Sequence, residues 1–193
     1  MIVSDLNKFI FWHQPKTAGS SLTEILAPFS NKQGTKLSGF GWQPQYHYGG
    51  MHMTAAKTWA SMGRPEWKPY FWFCFVRNPF DLVVSAWRNR IETYAKPTGI
   101  HKARMDAAGI PNPIPDISLR QFVDLELGNN RFLHIRRTQT DNVITDAPKE
   151  MNMIGRFETL DSDWARIAKE INVPALLPHR NKSKRESDYR QYY

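Results

Sequence analysis

The feature that most constrains the fold lies near the amino terminus, in the stretch FIFWHQPKTAGSSLTEIL at residues 9–26. Four apolar residues predict a buried strand, a short polar loop follows, and Leu22, Ile25 and Leu26 then recur at helical spacing. Such a loop lies against the helix N-terminus, where backbone N–H groups lack intrahelical partners. Because these groups carry partial positive charge, the stretch predicts a site for a tetrahedral oxyanion.

The side chains of this loop support the same prediction. Lys16 adds a mobile full charge, and Gly19 lets the backbone approach an anion closely. The loop is not a Walker A sequence, in which a glycine lies well upstream and the lysine directly precedes the helix hydroxyl. We therefore predict anion binding without an ATPase signature, and the candidate ligands are Lys16, Thr17, Ala18, Gly19, Ser20 and Ser21.

A second strand-to-helix junction follows the aromatic run YFWFCFV at residues 70–76. Unbroken apolar strands are typical of a parallel sheet that is covered on both faces. The run ends at Arg77, and Pro79 with Asp81 predicts the start of a helix that contains Ser85. Since α/β folds bind ligands at the carboxyl edge of the sheet, we expect Arg77 at the same edge as the loop.

The first junction resembles a known protein family. The segment HQPKTAGSSL at residues 13–22 is similar to the phosphosulfate loop of the carbohydrate sulfotransferases, which include the heparan sulfate 2-O-sulfotransferases and many small microbial relatives. Gln14 stands where the family usually has an aliphatic residue. The resemblance implies that Lys16 and its neighbours bind the 5′-phosphosulfate of the donor, 3′-phosphoadenosine 5′-phosphosulfate (PAPS).

The second junction resembles the same family. The segment FVRNPFDLVVS at residues 75–85 is similar to the family's 3′-phosphate-binding segment, and the resemblance assigns the ligand positions to Arg77 and Ser85. Leu82 replaces an arginine that the family often has there. The string from Ile154 to Trp164 is similar to a third family segment, a strand whose end carries Arg156 and Glu158 as a candidate pair.

The resemblance also implies a fold and a reaction. We expect one α/β domain over residues 1–193, a three-layer fold like that of the P-loop kinases, with a mostly parallel central sheet between helices. The expected reaction is transfer of a sulfuryl group from PAPS to a hydroxyl or amine, with a saccharide as the favoured acceptor and with no metal. In the family, a histidine just after the phosphosulfate loop and its helix is the usual base. The resemblance therefore makes His52 the first candidate and His47 the second.

Two segments keep more than one interpretation. Residues 96–140 contain a proline-rich and basic stretch that is either a lid on the acceptor side or a plain surface loop. The basic tail, residues 177–193, resembles a family loop that folds over the nucleotide, with Lys182 and Lys184 as candidate ligands, but it also fits a solvated tail. Arg88 and Arg90 are either solvated or line an anionic acceptor groove.

Composition limits the remaining function classes. The chain carries 26 basic and 18 acidic residues, a formal charge of +8, which suits an anionic ligand and also simple solubility. The single cysteine, Cys74, excludes an internal disulfide framework and is expected to be a buried thiol. We find neither a signal peptide nor an apolar stretch of about 18 residues, and therefore expect a soluble, cytoplasmic protein without a membrane partner.

Two rival functions stay open at this point. A P-loop kinase or NTPase would need a Walker lysine and a Mg²⁺-binding carboxylate at a strand end, and we find neither. A basic module that binds nucleic acid through Trp42, Trp67 and neighbouring cations would show steep salt dependence. We expect no specific nucleic-acid partner, and the sequence indicates neither the acceptor's identity nor the oligomeric state.

Overall fold

The strand predicted at residues 9–12 belongs to a four-stranded mixed sheet. The computed structural model describes residues 1–31, 59, 64–95, 117–128, 139, 150–178 and 188–193. Parallel pairing joins the second, third and fourth strands, whereas the first strand is antiparallel to the second. The expected α/β fold with a mostly parallel sheet is confirmed. The strands, in their order across the sheet, are β1 (Ile2–Ser4), β2 (Phe9–Trp12), β3 (Phe71–Val76) and β4 (Met153–Arg156).

A helix follows each of the three parallel strands, and the motifs predicted the first two of these helices. Helix α1 (Gly19–Leu26) comes after β2, helix α2 (Pro79–Ala95) after β3, and helix α4 (Leu160–Glu170) after β4. Helix α3 (Leu119–Gly128) lies between the last two. Within the described ranges no helix combines the length and the apolar composition that crossing a bilayer requires. Single 3₁₀ turns cover Ala27–Phe29, Pro65–Trp67, Phe157–Thr159 and Tyr189–Tyr192.

The start of helix α3 shows how sequence determines local structure. Ser118 caps helix α3, since its Oγ accepts a hydrogen bond from the Gln121 backbone N–H at 3.2 Å, while the Gln121 Oε1 accepts one from the Ser118 N–H at 2.8 Å. The antiparallel edge strand β1 has only three residues, Ile2–Ser4, which are too few to show a period in the sequence.

The described chain groups into two compact units. The first comprises residues 1–78 and 137–182, and it contains the whole sheet with helices α1 and α4. The second comprises residues 79–136 and 183–193, and it contains helices α2 and α3 and the C-terminal 3₁₀ turn.

Aromatic side chains fill both faces of the sheet in the first unit. Neighbouring strand residues point to opposite faces, so Phe11 packs on one face and Trp12 on the other. The first face is covered by apolar residues of α1 and α4, and full burial of one such side chain is worth about 1.5–3 kcal/mol. The second face contains Cys74, whose predicted burial is confirmed and raises the pKa of its thiol to about 12. This packing makes the strand ends a rigid platform.

The second unit has a smaller core of its own. Val84 and Trp87 of α2 pack with Phe122 of α3, and the indole N–H of Trp87 donates a hydrogen bond to the Ile117 carbonyl at 2.8 Å. The C-terminal turn packs against this cluster through Tyr192.

Candidate anion-binding site at the strand ends

The three parallel strands end at one edge of the sheet. Strand β2 is aligned with β3 through the pair Trp12 and Cys74, and β3 with β4 through the pair Val76 and Arg156. Because the strands are parallel, the segments that follow them emerge side by side. The polar loop after β2, Arg77 after β3 and Phe157 after β4 therefore meet.

Arg77 joins the segments that follow all three strands. Its Nη1 donates a hydrogen bond to the Lys16 carbonyl oxygen at 2.9 Å, and its guanidinium carbon lies 3.8 Å from the centre of the Phe157 ring. The residue is only 6% exposed. A planar guanidinium that stacks on a ring and bonds a carbonyl at once is held in a fixed orientation. The structure thus brings the two segments that resemble the donor-binding motifs together.

The backbone of Arg77 is fixed from a distant part of the chain. Its N–H donates to the Gln139 Oε1 at 2.7 Å, and its carbonyl accepts from the Gln139 Nε2 at 2.6 Å. Each such bond contributes about 1 kcal/mol, and the pair holds the end of β3 on both sides. Gln139 lies in the segment HIRRTQT, to which the sequence assigned no role.

The candidate pair of Arg156 and Glu158 does not form. Glu158 instead accepts a hydrogen bond from the Asn78 N–H at 2.6 Å, and no ion pair joins it to Arg156 among the described residues. The backbone N–H of Arg156 donates to Asp163 at 2.8 Å, and so does the Thr159 hydroxyl at 2.7 Å. A carboxylate on α4 thereby closes the turn that presents Phe157 to Arg77.

The Asp163 carboxyl is tuned by that turn. Burial raises its pKa, but the hydrogen bonds from the Arg156 N–H and the Thr159 hydroxyl, with the nearby charges of Arg166 and Arg156, lower the pKa below its ordinary value. The ionised form is therefore the one that the folded turn favours.

The loop after β2 has an unusual backbone. Lys16 and Ala18 both adopt left-handed conformations, with φ of 61° and 63°, and each costs about 1–2 kcal/mol for a residue with a Cβ. The fully buried Thr17 hydroxyl donates to the Gln14 carbonyl at 3.0 Å and closes the loop on itself. Strain held in place by neighbouring structure is typical of functional sites.

The N-terminus of α1 suits a negatively charged group. Ala18, the N-cap, makes no side-chain hydrogen bond to the helix, and the first turn contains no acidic residue. Lys16 is half-buried beside it, and Ser21 is buried in the first turn. Two nearby cations, Lys16 and Arg77, and a helix start without a carboxylate suit an anionic ligand.

His13 forms the floor of this loop. The residue is 7% exposed, and its ring stacks on Phe11 at 5.8 Å between centres and 30° between planes. A Cβ built on Gly19 would lie 1.9 Å from the His13 Nε2. Gly19 is therefore required by the ring beneath it, a reason additional to the close approach of an anion that the sequence suggested.

The remaining predicted site residues fall into two groups. Ser85 is a buried residue of α2, in the second unit. His47, His52, Lys182 and Lys184 lie outside the described residues. In the part of the chain that the structure describes, no group of three or more His, Cys, Asp or Glu side chains is arranged to hold a metal ion.

Sequence reasoning missed three residues of this site. His13 stands inside the loop motif without an assigned role, Phe157 inside the third family segment, and Gln139 far from both along the chain. The sequence signal that could have identified His13 is a histidine directly after an apolar strand. Nothing in the sequence connects Gln139 with Arg77, because that contact depends on tertiary structure.

Comparison with known proteins places the chain in a family. The family model described as "Sulfotransferase family" matches residues 1–192, and the chain belongs to this family. Among curated proteins it is similar to carbohydrate sulfotransferase 14 of Mus musculus. The two are 24% identical over an alignment 209 residues long, which covers 98% of this chain and 50% of the relative. Carbohydrate sulfotransferase 12 of Xenopus laevis is 23% identical, with coverage of 92% and 49%.

These comparisons confirm the resemblance to carbohydrate sulfotransferases. A third relative, carbohydrate sulfotransferase 14 of Danio rerio, is 24% identical, with coverage of 90% of this chain and 48% of the relative. The chain thus spans about half the length of the curated relatives that it matches. No solved structure matches it significantly. The narrower likeness to heparan sulfate 2-O-sulfotransferases stays a prediction.

Proposed function

We propose that this chain binds PAPS and transfers its sulfuryl group to a hydroxyl of a saccharide. The observation that carries the proposal is the hydrogen bond from the Arg77 guanidinium to the Lys16 carbonyl, which joins the two motif segments at one edge of the sheet. Membership of the sulfotransferase family supports the reaction class. Similarity to carbohydrate sulfotransferases supports the acceptor class, with an amine as the second acceptor chemistry.

Two anion sites give the donor its orientation in this proposal. The loop from Lys16 to Ser21 and the N-terminus of α1 hold the 5′-phosphosulfate, while Arg77 and Ser85 hold the 3′-phosphate. Lys182 and Lys184 of the basic tail add positive charge to the nucleotide-binding site. The 3′-phosphate distinguishes this donor from ATP, and no residue role in the proposal depends on a metal.

The reaction in this proposal is an in-line displacement. The bond between sulfur and the 5′-phosphate oxygen breaks while the acceptor oxygen bonds to sulfur, and the acceptor proton passes to the base, His52 or His47. Lys16 meets the negative charge that grows on the departing phosphate oxygen, and one preorganised donor of this kind is worth on the order of 3 kcal/mol. A positioned base contributes about 10²- to 10⁴-fold in rate.

Two substitutions test the division of labour between the cations. Lys16→Ala should abolish turnover of labelled donor more than it weakens donor binding, whereas Arg77→Ala should mainly weaken donor binding. Arg64→Ala is the control, because Arg64 is an exposed arginine of the same unit. Equal losses in both constants for both variants would contradict the assignment. Arg77→Lys keeps the charge but not the planar group, and it should weaken donor binding even where the alanine variant folds poorly.

Ligand-induced thermal shifts separate the proposal from its rivals. The product 3′-phosphoadenosine 5′-phosphate should raise the melting temperature more than ATP or a short oligonucleotide, since ligand at 100 times Kd stabilises by about 2.7 kcal/mol. An equal or larger shift with ATP and Mg²⁺ would favour a P-loop NTPase. A shift with the oligonucleotide alone would favour a nucleic-acid-binding module. A His52→Ala variant should lose rate and keep the nucleotide shift; full activity in it would move the base to His47 or elsewhere.

A further inference from the structure

The second unit contains a partly buried arginine, Arg88, that packs against two aromatic rings. Arg88 of α2 has its guanidinium carbon 4.6 Å from the ring centre of Trp87 and 5.2 Å from that of Tyr192. Its Nε is buried and has no hydrogen-bond partner in the part of the chain that the structure describes. Among the described residues no carboxylate lies within ion-pair distance of it. Buried polar atoms in folded proteins are rarely left in this state, so Arg88 calls for a functional explanation.

The aromatic residues around Arg88 are themselves held in place. The ring centres of Trp87 and Tyr192 lie 5.7 Å apart at 70°, and the Trp87 indole N–H donates to the Ile117 carbonyl at 2.8 Å. The Trp87 ring is therefore held by Ile117, just before helix α3, and the Tyr192 ring is held by the C-terminal turn to which it belongs. An arginine packed against both rings loses little further freedom when it binds a ligand, which favours binding.

The C-terminal turn is anchored at both of its ends. Asp188 accepts hydrogen bonds from the Arg190 backbone N–H at 3.0 Å and from its Nε at 2.9 Å. The Tyr193 hydroxyl donates to the Phe80 carbonyl at 3.0 Å, and the two rings meet edge to face at 5.6 Å. The position of the Tyr192 ring over Arg88 is therefore part of the fold of this unit.

We propose that Arg88, packed against the rings of both Trp87 and Tyr192, binds an anionic group, a carboxylate or a sulfate, of an acidic saccharide acceptor. The planar guanidinium presents paired N–H donors that match the oxygens of either group. The excess of positive charge on the chain, 26 basic against 18 acidic residues, favours the approach of such a polymer. The acceptor role rests on the proposed sulfuryl transfer, whereas the anion-binding role of Arg88 rests on its own contacts.

The same contacts argue against a single-stranded nucleic acid as the ligand. Nucleic-acid platforms offer exposed aromatic faces on which bases stack. Trp87 is only 8% exposed, and its ring is already engaged by Tyr192 and Arg88. The cluster thus offers charge and hydrogen-bond donors in preference to a stacking surface.

Direct binding measurements test this inference without relying on turnover. Titrations use a hyaluronan oligosaccharide, which carries carboxylates alone, dextran sulfate, which carries sulfates alone, neutral dextran and a short oligonucleotide. Arg88→Ala should weaken binding of at least one acidic saccharide about tenfold or more, since hydrogen bonds to charged groups are worth at least that factor. Arg120→Ala is the matched control, because it removes the same charge from the same unit. The Arg120 side chain is 92% exposed. This variant should change binding less than about twofold.

Further variants keep the test decisive if Arg88→Ala folds poorly. Arg88→Lys retains the charge without the planar donors and should bind more weakly than the wild type. Tyr192→Ala should also weaken binding, because it frees the guanidinium, and Tyr192→Phe should preserve it. Equal losses in the Arg88 and Arg120 variants, equal binding of neutral dextran, or no wild-type binding of either acidic saccharide would overturn the inference. A loss confined to the oligonucleotide would overturn it too.

The nucleotide shift in the same samples distinguishes the two proposals. If 3′-phosphoadenosine 5′-phosphate stabilises the wild type and Arg88→Ala equally while saccharide binding is lost, both proposals are supported. If the nucleotide fails to stabilise the wild type but saccharide binding depends on Arg88, sulfuryl transfer is refuted and the anion-binding role stands. If the nucleotide still stabilises the wild type and saccharide binding does not depend on Arg88, only the anion-binding role of Arg88 is refuted.

Discussion

The contact between His13 and Gly19 gives the sharpest structural prediction. Gly19 is the first residue of α1, where alanine would ordinarily stabilise the helix by about 0.5–1 kcal/mol. The Cβ of an alanine here would lie 1.9 Å from the His13 Nε2, 2.4 Å from its Cδ2 and 2.5 Å from its Cε1. All three distances are far shorter than a van der Waals contact. Gly19→Ala must therefore displace a buried ring or the loop itself.

The expected loss is large for so small a change. Overpacking of this kind costs about 1–3 kcal/mol, and displacing His13 also disturbs its stacking on Phe11, worth about 0.5–1.5 kcal/mol. After subtraction of the helix gain, we expect Gly19→Ala to lower the free energy of unfolding by about 1–3 kcal/mol. Urea denaturation of both proteins measures this difference. Nucleotide binding should fall as well, because the loop moves with Gly19.

A second substitution identifies the cause. In the His13→Ala background the ring atoms nearest to the added methyl group of Gly19→Ala are absent, so the second change should cost far less. The coupling in this double-mutant cycle should reach at least about 1 kcal/mol, within the range typical of residues in contact. Additive effects of the two substitutions would refute the steric explanation. A stable Gly19→Ala single variant with unchanged nucleotide binding would refute it outright.

Three other residues give further predictions. Gln14 is 1% exposed, and among the described residues neither of its side-chain amide atoms has a hydrogen-bond partner, so Gln14→Leu should raise the free energy of unfolding by about 1–3 kcal/mol in urea; a lower value would mean that the amide is satisfied in solution. Cys74, with its pKa raised to about 12 by burial, should resist iodoacetamide in the native protein and react only in denaturant, and rapid native labelling would contradict its burial. The pKa of Asp163 is lowered in the folded protein, so its stabilisation is present above the unfolded pKa of about 3.9 and is lost as pH falls through the lower folded value. Asp163→Asn should flatten that part of the pH–stability curve, and an unchanged curve would show that the carboxylate contributes nothing.

The parts of the fold that sequence predicted are those determined by local chemistry. Strands β2 and β3 are unbroken apolar runs, and α2 begins at Pro79, two residues after Arg77. The burial of Cys74 follows from residue type and immediate context in the same way. Because parallel strands share a carboxyl edge, even the approach of Arg77 to the loop was predictable.

The parts that sequence missed depend on contacts between distant residues. Gln139 brackets the Arg77 backbone across 62 positions of the chain, and Glu158 reaches Asn78 across 80. Glu158 and Arg156 stand two residues apart at the end of a strand, so a pair between them was a natural expectation. The structure instead gives Glu158 the backbone N–H of Asn78 as its partner, at 2.6 Å. No periodicity or motif records such choices.

The account depends most on a nucleotide site that unites the loop and Arg77. Isothermal titration of the wild type with 3′-phosphoadenosine 5′-phosphate, adenosine 5′-phosphate and ATP tests it most directly. We predict tightest binding of the doubly phosphorylated nucleotide, with a loss of about tenfold or more in Arg77→Ala and little change in Arg64→Ala. Equal affinity for adenosine 5′-phosphate, or identical behaviour of the two arginine variants, would contradict the account.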